Sequence, residues 1–130
     1  MDTQSCKICI IEDNTPIRKL FSTILKKSGF DTIDFSDGKP ALEWLENNKA
    51  EAVITDILLP DLSGTEILSI IRSKPDGNHV PMIAVTGFAK SNDREQFLNI
   101  GFDSYISKPI NAATFADDVR KVISDKQTAW

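Results

Sequence analysis

The sequence predicts a doubly wound α/β sandwich, (βα)5 in element order, around a five-stranded parallel sheet. Two observations carry this. Five short β-branched runs alternate strictly with five stretches of helical period, and turn residues separate them. The first, third and fourth runs are almost continuously apolar, the pattern of strands covered on both faces by helices. Strands are expected at 7–12 (KICIIE), 31–35 (DTIDF), 52–56 (AVITD), 81–86 (PMIAVT) and 104–107 (SYIS).

Between them, the first helix carries Ile17, Leu20, Phe21, Ile24 and Leu25 at helical spacing and closes on Gly29. Pro16 suits its first turn, with Asn14 or Thr15 as N-cap. A second helix is expected over 38–48, turning Ala41, Leu42, Trp44 and Leu45 wholly or partly inward, and a third over 64–73 with Ile67, Leu68, Ile70 and Ile71. The fourth opens at Asn92, with Glu95 as its capping-box partner, and stops at Gly101. The fifth starts at Asn111 and buries Phe115, Val119, Val122 and Ile123; the tail, 126–130, gives no reason to expect order. At 130 residues the chain is one domain, 1–130, with its core over about 7–125.

A net charge of −4 without clustered Lys or Arg argues against direct nucleic-acid binding. No apolar run approaches the roughly 20 residues of a membrane helix, and the start, MDTQSCK, lacks a signal-peptide layout, so a cytoplasmic protein without membrane contact is expected. Cys6 and Cys9 form C-K-I-C, but both fall in or at the entry of the first strand, where residues three apart point to opposite faces. A redox pair belongs at a helix N-terminus, so Cys9 is read as a small buried hydrophobe and Cys6 as incidental. His79, the only histidine, lies in the turn-rich PDGNHVP and is read as a solvated loop residue.

In a doubly wound sheet the functional crevice lies outside the carboxyl ends of the strands. Those ends carry Glu12 and Asp13 after the first strand, Asp56 on the third, Thr86 and Gly87 on the fourth, and Lys108 with Pro109 after the fifth. Three carboxylates at one edge repel one another unless a positive charge joins them. Hard oxygen ligands at a partly open site suit Mg²⁺. Across from them, the Lys108 ammonium, the Thr86 hydroxyl and the Gly87 backbone N–H are anion binders. A cation on one flank, anion donors on the other and a carboxylate between them describe phosphoryl transfer, with Asp56 as nucleophile and an aspartyl phosphate as product.

Glu12-Asp13, TDILLPDLSG around Asp56, VTG at Thr86 and YISKP ending in Lys108 and Pro109 resemble the response-regulator receiver domain of two-component signalling, over about residues 7–125. The resemblance implies the flavodoxin-like strand order 2-1-3-4-5 and a phosphorylation-dependent switch. Asp56 would accept a phosphoryl group from phosphohistidine on a histidine kinase or histidine phosphotransfer protein. Glu12, Asp13, Asp56 and the backbone carbonyl of Leu58 would hold Mg²⁺; Lys108 would pair with the phosphoryl group, before a peptide bond to Pro109 that is often cis in the family. Thr86 would swing toward the phosphoryl oxygens, and Tyr105 would turn inward behind it. Partners would read the face formed by the fourth helix, fifth strand and fifth helix, the protein being a monomer or a phosphorylation-dependent dimer. Such a domain catalyses only its own phosphoryl transfer and slow self-dephosphorylation, slow here because Leu58 and Phe88, which flank the path of attacking water, are apolar.

Three other readings compete. A degenerate receiver would act as an interaction module without phosphorylation, but every chemical residue is present. A flavin binder of the same sheet order would need a hydroxyl- and glycine-rich loop after the first strand, where IIEDNTPI stands. A phosphohydrolase would need a second acid beside its nucleophile, where Ile57 and Leu58 follow Asp56. The chain could also be a receiver from a hybrid histidine kinase, although the methionine shortly before the first strand favours a stand-alone regulator acting on an unknown downstream protein.

Overall fold

The computed structural model describes residues 7–87 and 93–128. Its elements run β1 (Lys7–Ile11), α1 (Thr15–Lys27), β2 (Asp31–Phe35), α2 (Gly38–Asn47), β3 (Ala50–Asp56), α3 (Gly64–Arg72), a 3₁₀ turn (Gly77–His79), β4 (Met82–Thr86), α4 (Asp93–Ile100), β5 (Ser104–Ser107) and α5 (Phe115–Thr128). The strands form one parallel sheet in the order β2-β1-β3-β4-β5, as expected.

Side chains alternate along each strand, so each central strand feeds two cores. Ile8 and Ile10 of β1, Ala52 and Ile54 of β3, and Ile83 and Val85 of β4 pack on one face, with Phe21 and Leu25 of α1 and Phe115, Val119 and Ile123 of α5. Cys9 and Ile11, Val53, and Met82 and Ala84 pack on the other, with Ala41 of α2, Ile67, Leu68 and Ile71 of α3, and the α4 residue Phe97 at the margin. Stacked rings of Phe21 and Phe115, 4.9 Å apart, join α1 to α5.

Local chemistry sets the helix ends. Asn14 is the N-cap of α1, its Oδ1 accepting the Ile17 N–H at 3.0 Å, and Gly29 leaves the helix at φ +96°, where any side chain is strained. Ser63 and Glu66 cap α3 reciprocally. The Asn92 cap expected for α4 lies outside the described residues.

Several expectations are corrected. Ile70 is 39% exposed and Leu20 44%, because each sits beyond the edge of the stripe its helix buries. α5 begins at Phe115, not Asn111: Asn111 Oδ1 captures the Ala113 N–H at 2.9 Å and its carbonyl the Thr114 N–H at 3.1 Å, which makes a turn before the helix. Residues 126–128, expected to lack order, continue that helix, and Lys126 Nζ reaches Asp103 Oδ1 at 2.9 Å. β4 starts one residue late because Pro81 has no N–H, although its carbonyl still accepts from Val53 at 2.9 Å. Cys9 is fully buried and burial pushes its thiol up to about 12, so it stays protonated and unreactive; Cys6 lies outside the described residues.

Candidate functional site

The two-residue period runs on past the strand ends. Ile8, Ile10 and then Glu12 share one phase in β1; Ala52, Ile54 and then Asp56 share it in β3; Ile106 and then Lys108 share it at β5. The register pairs Ile11 with Thr55, so Glu12 and Asp56 end adjacent strands side by side. Lys108 approaches from the edge strand, beyond β4, and only a long side chain spans that gap.

The result is a compact cluster. Lys108 Nζ lies 2.6 Å from Glu12 Oε1 and 2.9 Å from Asp56 Oδ2. Asp56 Oδ1 accepts the Ile57 N–H at 2.7 Å and, more loosely, the Leu58 N–H at 3.4 Å. Glu12 Oε2 accepts the Asn14 N–H at 3.1 Å. Glu12 and Asp56 are buried, whereas Asp13 is exposed at the rim. Burial pushes the Glu12 carboxyl above the ordinary range, and the Asp56 charge adds to this against the pull of Lys108 and the Asn14 N–H. For Lys108, burial works downward, but the Asp56 and Glu12 carboxylates outweigh it and hold the ammonium above its ordinary value.

Carboxylate oxygens of Glu12, Asp13 and Asp56 lie within 4.8 Å of one another. With all three ionised, a single ammonium leaves an excess of negative charge equal to that of a divalent cation. Glu12 Oε1 is buried, with the Lys108 ammonium 2.6 Å away as its neighbour. Three hard carboxylate donors with that uncompensated charge, two buried and one exposed at the rim, fit Mg²⁺.

Thr86 ends β4, buried at 1% exposure, and its carbonyl accepts the Lys108 N–H at 2.9 Å. Its phase is that of Met82 and Ala84, the face that also holds Tyr105, whose partner across the ladder is Ala84. The half-buried Tyr105 ring stacks on Phe97 at 5.5 Å. Thr86 and Tyr105 thus share a pleat face opposite to that of the charged cluster. Gly87 is exposed, and a Cβ there would meet no atom within 4 Å. The Lys108–Pro109 peptide bond is cis. Leu58 is 60% exposed; Phe88, its expected companion on the water path, lies outside the described residues.

Sequence reasoning missed the groups that brace this end. Arg18 Nη1 donates to the Glu12 carbonyl at 2.8 Å, and its Nε lies 3.3 Å from Asp34 Oδ2. Asp61, on the loop after Asp56, accepts the Gly38 and Lys39 N–H groups at 2.8 Å each and so caps α2 from another part of the chain. Asp37, the N-cap by position, makes no side-chain cap bond.

Residues 8–120 match the family model described as the response regulator receiver domain. The chain is 42% identical over 112 residues to hybrid signal transduction histidine kinase I of Dictyostelium discoideum, covering 81% of this chain but 6% of the kinase. It is 34% identical over 118 residues to the polar-differentiation response regulator DivK of Brucella anthropi, covering 91% of this chain and 96% of DivK. The receiver domain of sensor histidine kinase PA1611 from Pseudomonas aeruginosa PAO1, solved with a magnesium ion coordinated in its active-site cleft, superposes with a TM-score of 0.83 at 29% identity, over 93% of this chain and 99% of that one. Fold, acidic cluster and family model agree: the chain belongs to the response regulator receiver domain family, signalling modules of two-component systems that bind Mg²⁺ in an acidic pocket and switch on phosphorylation.

Proposed function

We propose that this receiver takes a phosphoryl group onto Asp56 from phosphohistidine on a histidine kinase or phosphotransfer protein. The observation that carries the reading is Lys108 Nζ standing between Asp56 Oδ2 and Glu12 Oε1, at 2.9 and 2.6 Å, with Asp13 at the rim of the same cluster. A carboxylate oxygen of Asp56 attacks phosphorus; the O–P bond forms as the P–N bond breaks, and the released electron pair stays on the imidazole nitrogen, which takes up a proton. Lys108 is an ammonium through the neutral range and pairs with the phosphoryl oxygens. Glu12, Asp13, Asp56 and the Leu58 carbonyl would hold Mg²⁺, which supplies neutralisation of the charge shared by carboxylates and phosphoryl oxygens.

New charge on Asp56 then draws the Thr86 hydroxyl, with the Gly87 N–H as a further donor. Thr86 and Tyr105 share a pleat face, so a shift of one repacks the other against Phe97 of α4. This supports α4, β5 and α5 as the face that partner proteins read. Leu58 cannot orient an attacking water, which favours a long-lived phosphoryl group.

Intact-mass analysis after incubation with acetyl phosphate, with and without Mg²⁺, tests the reading on the wild type and Asp56→Asn. One Mg²⁺-dependent phosphoryl adduct, absent from the variant, is expected. An adduct that persists in Asp56→Asn, or none on wild type even from a phosphohistidine donor, overturns it.

A further inference from the structure

Asp13 lies just past the last β1 residue and is exposed, so its place in the cluster depends on the backbone that presents it. The peptide joining Glu12 to Asp13 carries the Glu12 carbonyl, which accepts Arg18 Nη1 at 2.8 Å. On the other side of the residue, the Glu12 N–H donates to the Phe35 carbonyl at 3.0 Å, and Glu12 Oε2 accepts from Asn14. Arg18 is itself held: Nε lies 3.3 Å from Asp34 Oδ2 on β2, Nη2 donates to Thr15 Oγ1 at 3.4 Å, and the side chain is only 16% exposed. One planar guanidinium therefore spans α1, the end of β1, and β2.

We propose that Arg18 is a positioning residue for the cation site: anchored by Asp34, it fixes the Glu12–Asp13 peptide so that both carboxylates meet Asp56. The proposal rests on the acidic cluster being a Mg²⁺ site. Arg18 touches neither metal nor phosphoryl group; it acts through the carbonyl it holds. A lysine reaches one of the two partners but lacks the fork that holds both.

Calorimetric Mg²⁺ titration of the full chain as wild type, Arg18→Ala, Arg18→Lys and Asp34→Asn tests this, with thermal unfolding of each metal-free protein alongside. Arg18→Ala is expected to weaken Mg²⁺ binding about tenfold, the lower end for loss of an outer-shell partner, Arg18→Lys nearly as much and Asp34→Asn less. Acetyl phosphate labelling separates this from loss of chemistry: the half-saturating Mg²⁺ concentration should rise by the same factor while the rate at saturating Mg²⁺ returns to that of wild type. Folded variants that bind Mg²⁺ as tightly as wild type, or a reduced saturated rate with unchanged half-saturation, overturn the positioning role alone. If Arg18→Ala does not fold, Arg18→Lys and Asp34→Asn decide by the same criteria. A wild type that binds no Mg²⁺ overturns the metal-site reading itself.

Discussion

Leu58 stands two residues past Asp56 with 60% of its surface exposed, an apolar side chain beside a polar cluster. Replacing it with Gln supplies a group that can orient water, and phosphoryl loss should quicken by about tenfold, equivalent to ~1.4 kcal/mol of barrier; decay of the adduct followed by mass spectrometry checks this. Thr86→Ala should leave labelling of Asp56 intact while weakening the structural response, measured as NMR shifts of β5 amides on phosphorylation. The loss should be partial: a hydrogen bond to a charged group contributes about 1.5–3 kcal/mol, against roughly 5.5 kcal/mol needed to invert a 1:99 population. The cluster residues were legible in the sequence because strand phase and parallel order place them without knowledge of any side-chain contact. Arg18 was not: it serves a carbonyl, and backbone acceptors leave no mark in a sequence.

Between Asp56 and α3 the loop is held by contacts from several elements. Gly64 packs so tightly on the Asp56 carbonyl that a Cβ there would collide with backbone, and its N–H donates to the Ile57 carbonyl at 2.8 Å. Asp61 ties the same loop to the start of α2, and slight burial of its carboxyl is outweighed by the Lys39, Gly38 and Leu62 N–H groups, which hold its pKa below the ordinary value of 3.8. Asp61→Ala should lower stability by about 1 kcal/mol, as loss of a helix cap does. A carboxyl depressed in the folded state stabilises fully above its unfolded pKa and loses that contribution as pH falls through the folded one. The difference in urea midpoint between wild type and Asp61→Ala should therefore be constant at neutral pH and narrow below about pH 3.8. Helix periodicity located α2, but its cap comes from 23 residues away and has no local signature. The start of α5 was misplaced for a local reason, since Asn111 closes a turn on the Ala113 and Thr114 N–H groups before the regular helix begins.

Across the whole molecule, a second brace sits at the end of the sheet opposite the acidic cluster. At the amino ends of β4 and β5, the Arg72 guanidinium donates to the carbonyls of Gly77, Val80 and Gly101 at 2.7, 2.6 and 2.8 Å, and to Asp103 Oδ2 at 3.0 Å. Asp103 in turn accepts the Met82 N–H at 2.8 Å and Lys126 at 2.9 Å, joining α3, β4, β5 and α5. Arg72→Ala strands these acceptors and should cost about 3 kcal/mol of stability, read from chemical denaturation, while the folded variant still labels at Asp56. Strand order and both cores followed from the apolar pattern, but this clamp joins residues up to 31 positions apart and shows only in three dimensions. Lys108, 52 positions after Asp56, follows the edge strand that completes the sheet. The charge balance of the cluster therefore depends on the last strand being in place: a chain cut before β5 would keep the Glu12 and Asp56 carboxylates and lose the only ammonium that lies between them among the described residues.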